Sequence, residues 1–466
     1  WNAEHRSDGS FALRQLIVPQ GQTTYLVEDS VATWQAGNSA PILFEVDVPA
    51  ETPVGDIVSI QFNPYGWTEP IPMWPMGGNR WAYQLYGPLN MLGTFEYRYC
   101  RNDQCGVADD LETSVGRHGR PVSSALTPQD LQDNVLHWAW LGADPVQLVG
   151  APVTARSQGF WAGIEFQAGY EPAWQPWMAP ALQNVVGIGA NWAVLTPSWT
   201  VVRTDPFAFS PVPGNDPLWA EAAETIGRGR AVNLNVAVFP QANLPAEAAS
   251  WWPAARRDSA WWDNWFARYQ AFAVYHADLA ADAGAQALIL GGDWIGPALP
   301  GGLLTDGSSS GVPADAEARW RGILDEVRRH FGGQVFWALP YTGSAPASPA
   351  FLNSLDGVYL LWNAPLGSST AVADMQAEAG RLMDADLMPF LAVLQKPVVV
   401  AVAYPSAGGA AQATLPASVL FQPGSTQAAV DLQLQVDIYN ALFGAINTRP
   451  WINGFVSRGY FPPAAL

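Results

Sequence analysis

From about residue 159 onward, short apolar runs alternate with amphipathic helical patterns, and this rhythm constrains the fold of the 466-residue chain more than any other feature. Eight runs read as strands: Phe160–Phe166, Trp192–Pro197, Ala231–Phe239, Ala287–Leu290, Val335–Leu339, Val358–Leu361, Val398–Ala403 and Gly454–Tyr460. Helical patterns fall between them at Trp219–Ile226, Trp261–Ala281, Asp315–His330, Ala371–Met383 and Ala429–Ile446. In the second of these, Trp262, Trp265, Tyr269 and Phe272 recur at the three- and four-residue steps of one helix face. Nearly continuous apolar strands have no solvent-facing side, so they belong to a parallel sheet covered by helices. Eight strand–helix repeats predict a closed (β/α)8 TIM barrel over residues 159–466, an α/β fold.

Upstream the pattern changes to short alternating strands broken by Gly, Pro and Asn. Ile42–Val48, Ile57–Phe62, Trp81–Tyr86 and Gly93–Tyr99 predict an N-terminal antiparallel β-sandwich over residues 41–111. Residues 1–40 read as the end of a preceding β-domain or a linker, with a strand pair at Leu13–Val18 and Thr24–Val27; the chain is expected to be a piece of something longer. Residues 112–158 read as a linker holding a short helix that starts at Thr127-Pro128-Gln129-Asp130, with Thr as N-cap and Pro in the first turn, and runs through Trp138. Cys100 and Cys105 are separated by four residues, a spacing that suits a disulfide across a hairpin turn. Two free thiols or a metal site with His118 are the alternatives. A disulfide places the chain in an oxidising compartment, so an extracellular or cell-surface location is expected.

A formal net charge of −19 makes nucleic acid and acidic membrane surfaces unsuitable partners. No apolar stretch is long enough for a membrane-spanning helix, and no charged-then-apolar leader opens the chain. The 23 tryptophans stand out, since indole rings both fill cores and provide flat faces for sugar rings. Function in a (β/α)8 barrel sits at the C-terminal ends of the strands. Those ends carry Gln167 and Tyr170 with Glu171 beyond, Thr196-Pro197-Ser198-Trp199 with Asp205 in the following loop, and Phe239-Pro240-Gln241. Continuing round the barrel they carry Gly291-Gly292-Asp293-Trp294, Pro340-Tyr341, Trp362-Asn363, Ala403-Tyr404-Pro405-Ser406 and Arg458-Gly459-Tyr460. Trp199, Asp205, Trp294, Tyr341, Trp362, Asn363, Tyr404 and Tyr460 are accordingly the substrate-binding candidates, for a polysaccharide or oligosaccharide. Glu165 lies inside the first strand, where a buried carboxylate requires a partner, either Arg458 or a tyrosine. His276 and His330 fall on helices as structural residues. No His-x-x-x-His pair or acidic cluster suggests a metal, and no cofactor is expected.

Two resemblances add to this reading. Phe44-Glu45-Val46, Gly66-Trp67, Pro72-Met73, Gly78-Asn79-Arg80-Trp81 and Phe95-Glu96-Tyr97-Arg98-Tyr99 resemble the starch-binding type of carbohydrate-binding module. That resemblance implies Trp67 and Trp74 as glycan-stacking candidates, with Trp81 in the core. In the barrel, the second strand with Trp199, the Phe-Pro end of the third, the Trp251–Trp265 region, Tyr275 to Asp293, Lys396-Pro397-Val398-Val399-Val400 and Tyr404-Pro405-Ser406 resemble glycoside hydrolase family 113. The resemblance implies a retaining mechanism with glutamates ending strands four and seven, mannan hydrolysis being a known activity. Here the strand-four acid/base position falls on Asp293. The family's Glu-Ile-Gly-Tyr-Pro-Ser pattern aligns with Ala401-Val402-Ala403-Tyr404-Pro405-Ser406, so the nucleophile position falls on Ala401. Retention needs two carboxyl groups about 5–5.5 Å apart, and alanine cannot attack. An inverting pair of Asp293 with Asp205 or Glu171 would be the substitute. Three readings follow: a catalytically degenerate, glycan-binding secreted protein; a structural subunit of an extracellular filament or coat, self-associating or docking other surface proteins; and an active glycosidase using Asp293 with a non-standard second carboxylate.

Overall fold

A computed structural model describes residues 2–5, 26–36, 40–64, 67–86, 93–102, 104–105, 108–109, 119–138, 146–148, 150, 154–156, 159–170, 172–344, 348–412 and 431–462. The chain divides into two compact units, Trp1–Ala143 and Asp144–Leu466.

In the first unit β1 (Asn2–His5) pairs antiparallel with β2 (Thr33–Ala36). The expected strand at Leu13–Val18 lies outside the described residues, as do Thr24 and Tyr25. Leu26 and Val27 are exposed and belong to no strand. The next elements are β3 (Ile42–Asp47), β4 (Val58–Asn63), β5 (Ile71–Pro72), β6 (Trp74–Gly77), β7 (Arg80–Leu85), β8 (Thr94–Arg101), β9 (Gln104–Cys105), β10 (Ala108–Asp109), β11 (Arg120–Ser123), β12 (Gln129–Asn134) and β13 (His137–Trp138). They form one sheet in the order β11-β8-β4-β5, with β9 on β8, and a second in the order β12-β3-β7-β6, while β10 pairs with β13. Alternate residues of both sheets, among them Phe44, Val46, Ile60, Phe62, Phe95 and Tyr97, enter one apolar cluster, as the period of two requires. Cys100 and Cys105 face each other across β8 and β9 and form a disulfide.

The helix expected through Trp138 is corrected: Gln129–Asn134 is a strand, parallel to β3. Its exposure alternates residue by residue. Asp133 accepts hydrogen bonds from the hydroxyls of Tyr97 and Tyr99, at 2.8 and 2.7 Å, and from Arg120. The Thr-Pro start signal is local, and these long-range partners override it. Arg120–Ser123, Gln129–Asn134 and His137–Trp138 are thus strands within the first unit.

The second unit contains β14 (Trp161–Phe166), β15 (Trp192–Leu195), β16 (Ser198–Arg203), β17 (Ala208–Ser210), β18 (Asn235–Val238), β19 (Gln241–Asn243), β20 (Ala287–Gly291), β21 (Gln334–Tyr341), β22 (Gly357–Trp362), β23 (Val398–Val402) and β24 (Gly454–Tyr460). Eight of these close into a parallel barrel in the order β14-β15-β18-β20-β21-β22-β23-β24. Every one of the eight apolar runs supplies one barrel strand. Helices Met178–Gly187, Trp219–Ala231, Ser259–Ala283, Ala316–His330, Val372–Leu382 and Leu432–Asn447 lie between the strands. The barrel is packed, not hollow. Trp161 and Trp192 stack at 3.7 Å, and Val194, Phe239, Ile289, Phe336, Tyr359, Leu361, Val399, Ala401 and Val456 belong to the same interior cluster. Gly163 admits this packing, since a Cβ there would stand 2.9 Å from a methyl of Val456.

Outside the strands a larger cluster holds most of the aromatic mass. Trp252, Trp261, Trp262, Trp265, Phe266, Tyr269, Phe272 and Trp320 interlock around the helix Ser259–Ala283. Asp258 caps that helix by accepting from the Trp261 amide at 2.9 Å, and Gly284 ends it in the left-handed conformation. Beyond the ends of β15 and β18, a small sheet in the order β17-β16-β19 extends one side of the barrel mouth.

Candidate functional site

Successive strand side chains alternate between the barrel interior and the helix layer. In β14, Trp161 faces inward while Phe166 joins the outer cluster, which places Gly163 and Glu165 on the inward parity. Glu165 is 2% exposed. Its Oε2 accepts from the Tyr359 hydroxyl at 2.6 Å, and its Oε1 accepts from Arg458 Nε at 2.9 Å. Both partners foreseen for it are therefore present. Burial, then the neighbouring Glu165 charge, push the Tyr359 hydroxyl well above the ordinary phenol range, so it stays a donor. Burial works to lower the Arg458 pKa, but Glu165, Tyr359 and Asp293 outweigh it and hold the guanidinium charged.

On strand seven Ala401 is fully buried, in register with Leu361 and Val456. It shares the interior parity of Val399. On strand four, Gly291 and Gly292 take φ of 90° and 122°, backbone that other residues rarely adopt. They turn the chain into a short 3-10 helix, Asp293–Ala298, whose first residue, Asp293, is exposed. Asp205 is exposed in the turn between β16 and β17 and lies 3.6 Å from Arg256. Glu171 falls outside the described residues. Among those residues, no group of three His, Cys, Asp or Glu side chains is placed to hold a metal ion. No helix among them is long and apolar enough to cross a membrane.

Several expected substrate-binding residues are corrected. Trp199 is buried against Phe209, Phe272 and Tyr275. Trp294 is buried against Phe209, Trp265 and Tyr269. Tyr341 donates to Asp386 at 2.9 Å, Trp362 donates to the Tyr404 hydroxyl at 2.9 Å, and Tyr404 donates to the Ala364 carbonyl at 2.5 Å. All five lie in the outer cluster, not at the opening. For Tyr341, Trp362 and Tyr404 the reason is parity. Ala338, Leu361 and Ala401 point inward, so residues an odd number of positions away point toward the helices. Asn363 keeps the inward parity of Leu361 and is half-buried. Tyr460 follows a bulge and packs edge-on against Phe166 at 5.4 Å.

His276 is fully buried with its Nδ1 2.8 Å from the Phe272 carbonyl, and burial lowers its pKa to about 3. His330 meets Asp278 at 2.7 Å and Glu326 at 3.3 Å, which raise its pKa. In the first unit, Trp74 is 60% exposed and stacks on Tyr83, whereas Trp67 is half-buried with the Arg98 guanidinium 4.0 Å over its ring.

A polar group that the sequence reading missed lies on the extended side of the mouth. Asp216 is fully buried. Its carboxylate accepts from Ser198 Oγ at 2.6 Å, Thr200 Oγ1 at 2.7 Å, the Val212 amide at 2.8 Å and Asn243 Nδ2 at 2.8 Å. Pro213-Gly214-Asn215-Asp216-Pro217 has the composition of an exposed turn, which disguised this residue. The one available signal was its place in the loop after a barrel strand, the customary position of functional groups. Thr200, Asn215 and Asn243 line a cavity of about 470 Å³ together with Gln167, Tyr170, Trp174 and Phe461.

A closed eight-stranded parallel barrel with helices between its strands and polar side chains near the strand ends has the architecture of a glycoside-hydrolase barrel. The sequence profile of Glycoside Hydrolase Family 113 matches residues 219–460, and the chain belongs to that family. A solved GH113 β-1,4-mannanase is similar at 18% identity and a TM-score of 0.51, over 65% of this chain and 89% of that one. The GH113 β-mannanase AaManA from Alicyclobacillus acidocaldarius, solved with ManMIm, is similar at 19% identity and a TM-score of 0.50, over 66% and 90% of the two chains. No curated protein sequence matches.

Proposed function

We propose that this protein binds glycans through a family 113 barrel that has lost hydrolytic turnover. The observation that carries the reading is Ala401, a methyl group inside the strand-seven end where a retaining enzyme presents its nucleophile. The surroundings offer no obvious substitute among the described residues. Glu165 is engaged by Tyr359 and Arg458, Asp216 is saturated by four donors, and Asp205 lies beside Arg256. Asp293 alone can protonate a leaving group but leaves, among the described residues, no base or nucleophile to complete the reaction. Family membership and the mannanases among the similar structures favour a neutral plant-type polysaccharide as the ligand class.

The first unit is read as a β-sandwich carbohydrate-binding module, with Trp74 and Tyr83 forming its exposed aromatic platform. The Cys100–Cys105 disulfide favours export to the cell surface or beyond. The test is a reducing-sugar assay on mannan, xylan, glucan and starch beside affinity electrophoresis in the same polysaccharides. Retarded migration without sugar release is expected. Sugar release that disappears in Asp293→Asn would establish an active enzyme. Silence in both assays would favour a structural subunit of a surface assembly.

A further inference from the structure

The cavity beside β14, β16 and β19 has a hydrogen-bonding polarity that can be read from its foundations. A carboxylate only accepts, so the Asn243 side chain must turn its NH2 toward Asp216, 2.8 Å away, and present its carbonyl oxygen elsewhere. The Thr200 hydroxyl likewise donates to Asp216 at 2.7 Å. Its oxygen must then accept from the Asn215 NH2, 2.6 Å away, which leaves Asn215 also presenting a carbonyl. Gln167 donates its NH2 to the Ala168 carbonyl at 3.1 Å. Its Oε1 is buried with no hydrogen-bond partner, although the residue is only 7% exposed. Three residues that line the cavity, Gln167, Asn215 and Asn243, thus carry carboxamide oxygens left as acceptors. A buried acceptor without a partner is costly, and Gln167 lines the cavity, so a rotation of its side chain would bring that oxygen to an entering donor.

The remaining wall decides the class of donor. Among the described residues no charged side chain lines the cavity, and the half-buried indole of Trp174, met edge-on by Phe461 at 5.7 Å, adds an apolar surface. We infer that this cavity is a binding subsite for one ring of an uncharged, hydroxyl-rich glycan, held by hydroxyl donors to Gln167, Asn215 and Asn243 and by packing on Trp174. A cationic ligand lacks a charged partner there, and an anionic ligand meets only acceptors. The volume, about 470 Å³, lies within the range of small-ligand pockets. The inference rests on the glycan-binding reading and adds where the sugar sits and why it is neutral. Asp216 acts in it as a positioning residue, setting which end of each amide faces the ligand.

The test uses the full chain carrying Trp74→Ala, so that the first unit does not supply the signal. Binding of mannotetraose, cellotetraose, xylotetraose and maltotetraose is measured by calorimetry, with tetragalacturonate as the anionic contrast. The Trp74→Ala protein is expected to bind at least one neutral oligomer and not the anionic one. Adding Gln167→Leu should weaken binding about tenfold, the net worth of one hydrogen bond. Adding Trp174→Ala should weaken it by at least about tenfold through lost ring contact. Thermal melting confirms that each variant is folded, and Trp174→Ala carries the test if Gln167→Leu is not. Unchanged affinity in the folded variants, with neutral glycans still bound, overturns the subsite and leaves the glycan-binding reading intact. Preference for tetragalacturonate overturns the neutral class. Absence of binding to every neutral oligomer, with polysaccharide retardation absent too, overturns both.

Discussion

The two sides of the barrel mouth are built on opposite principles. Around strand seven, Ala401 lies among Val399, Leu361 and Val456, and the neighbouring Tyr341, Trp362 and Tyr404 direct their polar atoms to each other, to Asp386 and to the Ala364 carbonyl. That side is closed on itself. Around strands one to three, a buried carboxylate gathers hydroxyl and amide donors, and the outer ends of those amides border a cavity. The contrast shows that one barrel mouth can combine an apolar, self-contained side with a side that keeps an organised polar surface. Glu165 and Arg458 stand between the two sides as an internal ion pair.

The largest expected effect is at that pair. Glu165→Leu strands a buried guanidinium and should cost about 3–5 kcal/mol in urea unfolding, while the double change Glu165→Leu with Arg458→Met should recover most of it. A double variant as damaged as the single one would show that the pair does more than compensate its own burial. On the polar side, Asp216→Ala leaves four donors without their acceptor and should cost roughly 3 kcal/mol by the same measurement. Loss below about 1 kcal/mol would mean that water replaces the carboxylate and that this side is less organised than its hydrogen bonds imply.

On the closed side, Ala401→Glu puts a larger, charged group into an apolar layer. It should cost about 2–3 kcal/mol and restore no reducing-sugar release, because the surrounding packing is adapted to a methyl group. Turnover appearing in that variant would show that only the nucleophile is missing.

The smallest effect is an acid sensitivity behind the polar side, where His276 packs near Trp199 of β16. Its pKa falls from 6.5 to about 3 on folding, so the unfolded chain binds the extra proton throughout that window. The stability this contributes is complete above pH 6.5 and declines as pH falls toward 3, by roughly 1 kcal/mol per pH unit. Between pH 6.5 and 5 the unfolding free energy should drop by roughly 1–2 kcal/mol, and His276→Leu should flatten that slope. An unchanged slope in the variant would assign the sensitivity to other groups.

Much of this architecture was legible beforehand because periodicity is a local property. Eight apolar runs gave eight barrel strands, and the helical spacing of Trp262, Trp265, Tyr269 and Phe272 marked a buried face. Glu165 could be paired in advance because a carboxylate within an apolar strand has few ways to be satisfied. The site was harder. Trp199, Trp294, Tyr341, Trp362 and Tyr404 are aromatic and stand near strand ends, yet all are core. Position along a strand is visible in a sequence, but the face presented depends on where the inward parity starts, and that is set by packing against other strands. The segment Gln129–Asn134 shows the same limit, since a good local helix start yielded to a strand partner more than eighty residues away.

By itself, then, the sequence determined the barrel, its strand order along the chain, and the alanine at position 401, since each follows from residue identity or short-range spacing. Tertiary structure alone decided which aromatic residues are hidden and which polar ones face the opening. Asp216 is the clearest case. Nothing in Gly214-Asn215-Asp216-Pro217 distinguishes it from a solvated turn, and it becomes a keystone only because Ser198, Thr200 and Asn243 arrive from β16 and β19. Hydrogen bonding in a buried site is a property of neighbours brought together by folding, and those neighbours are distant along the chain.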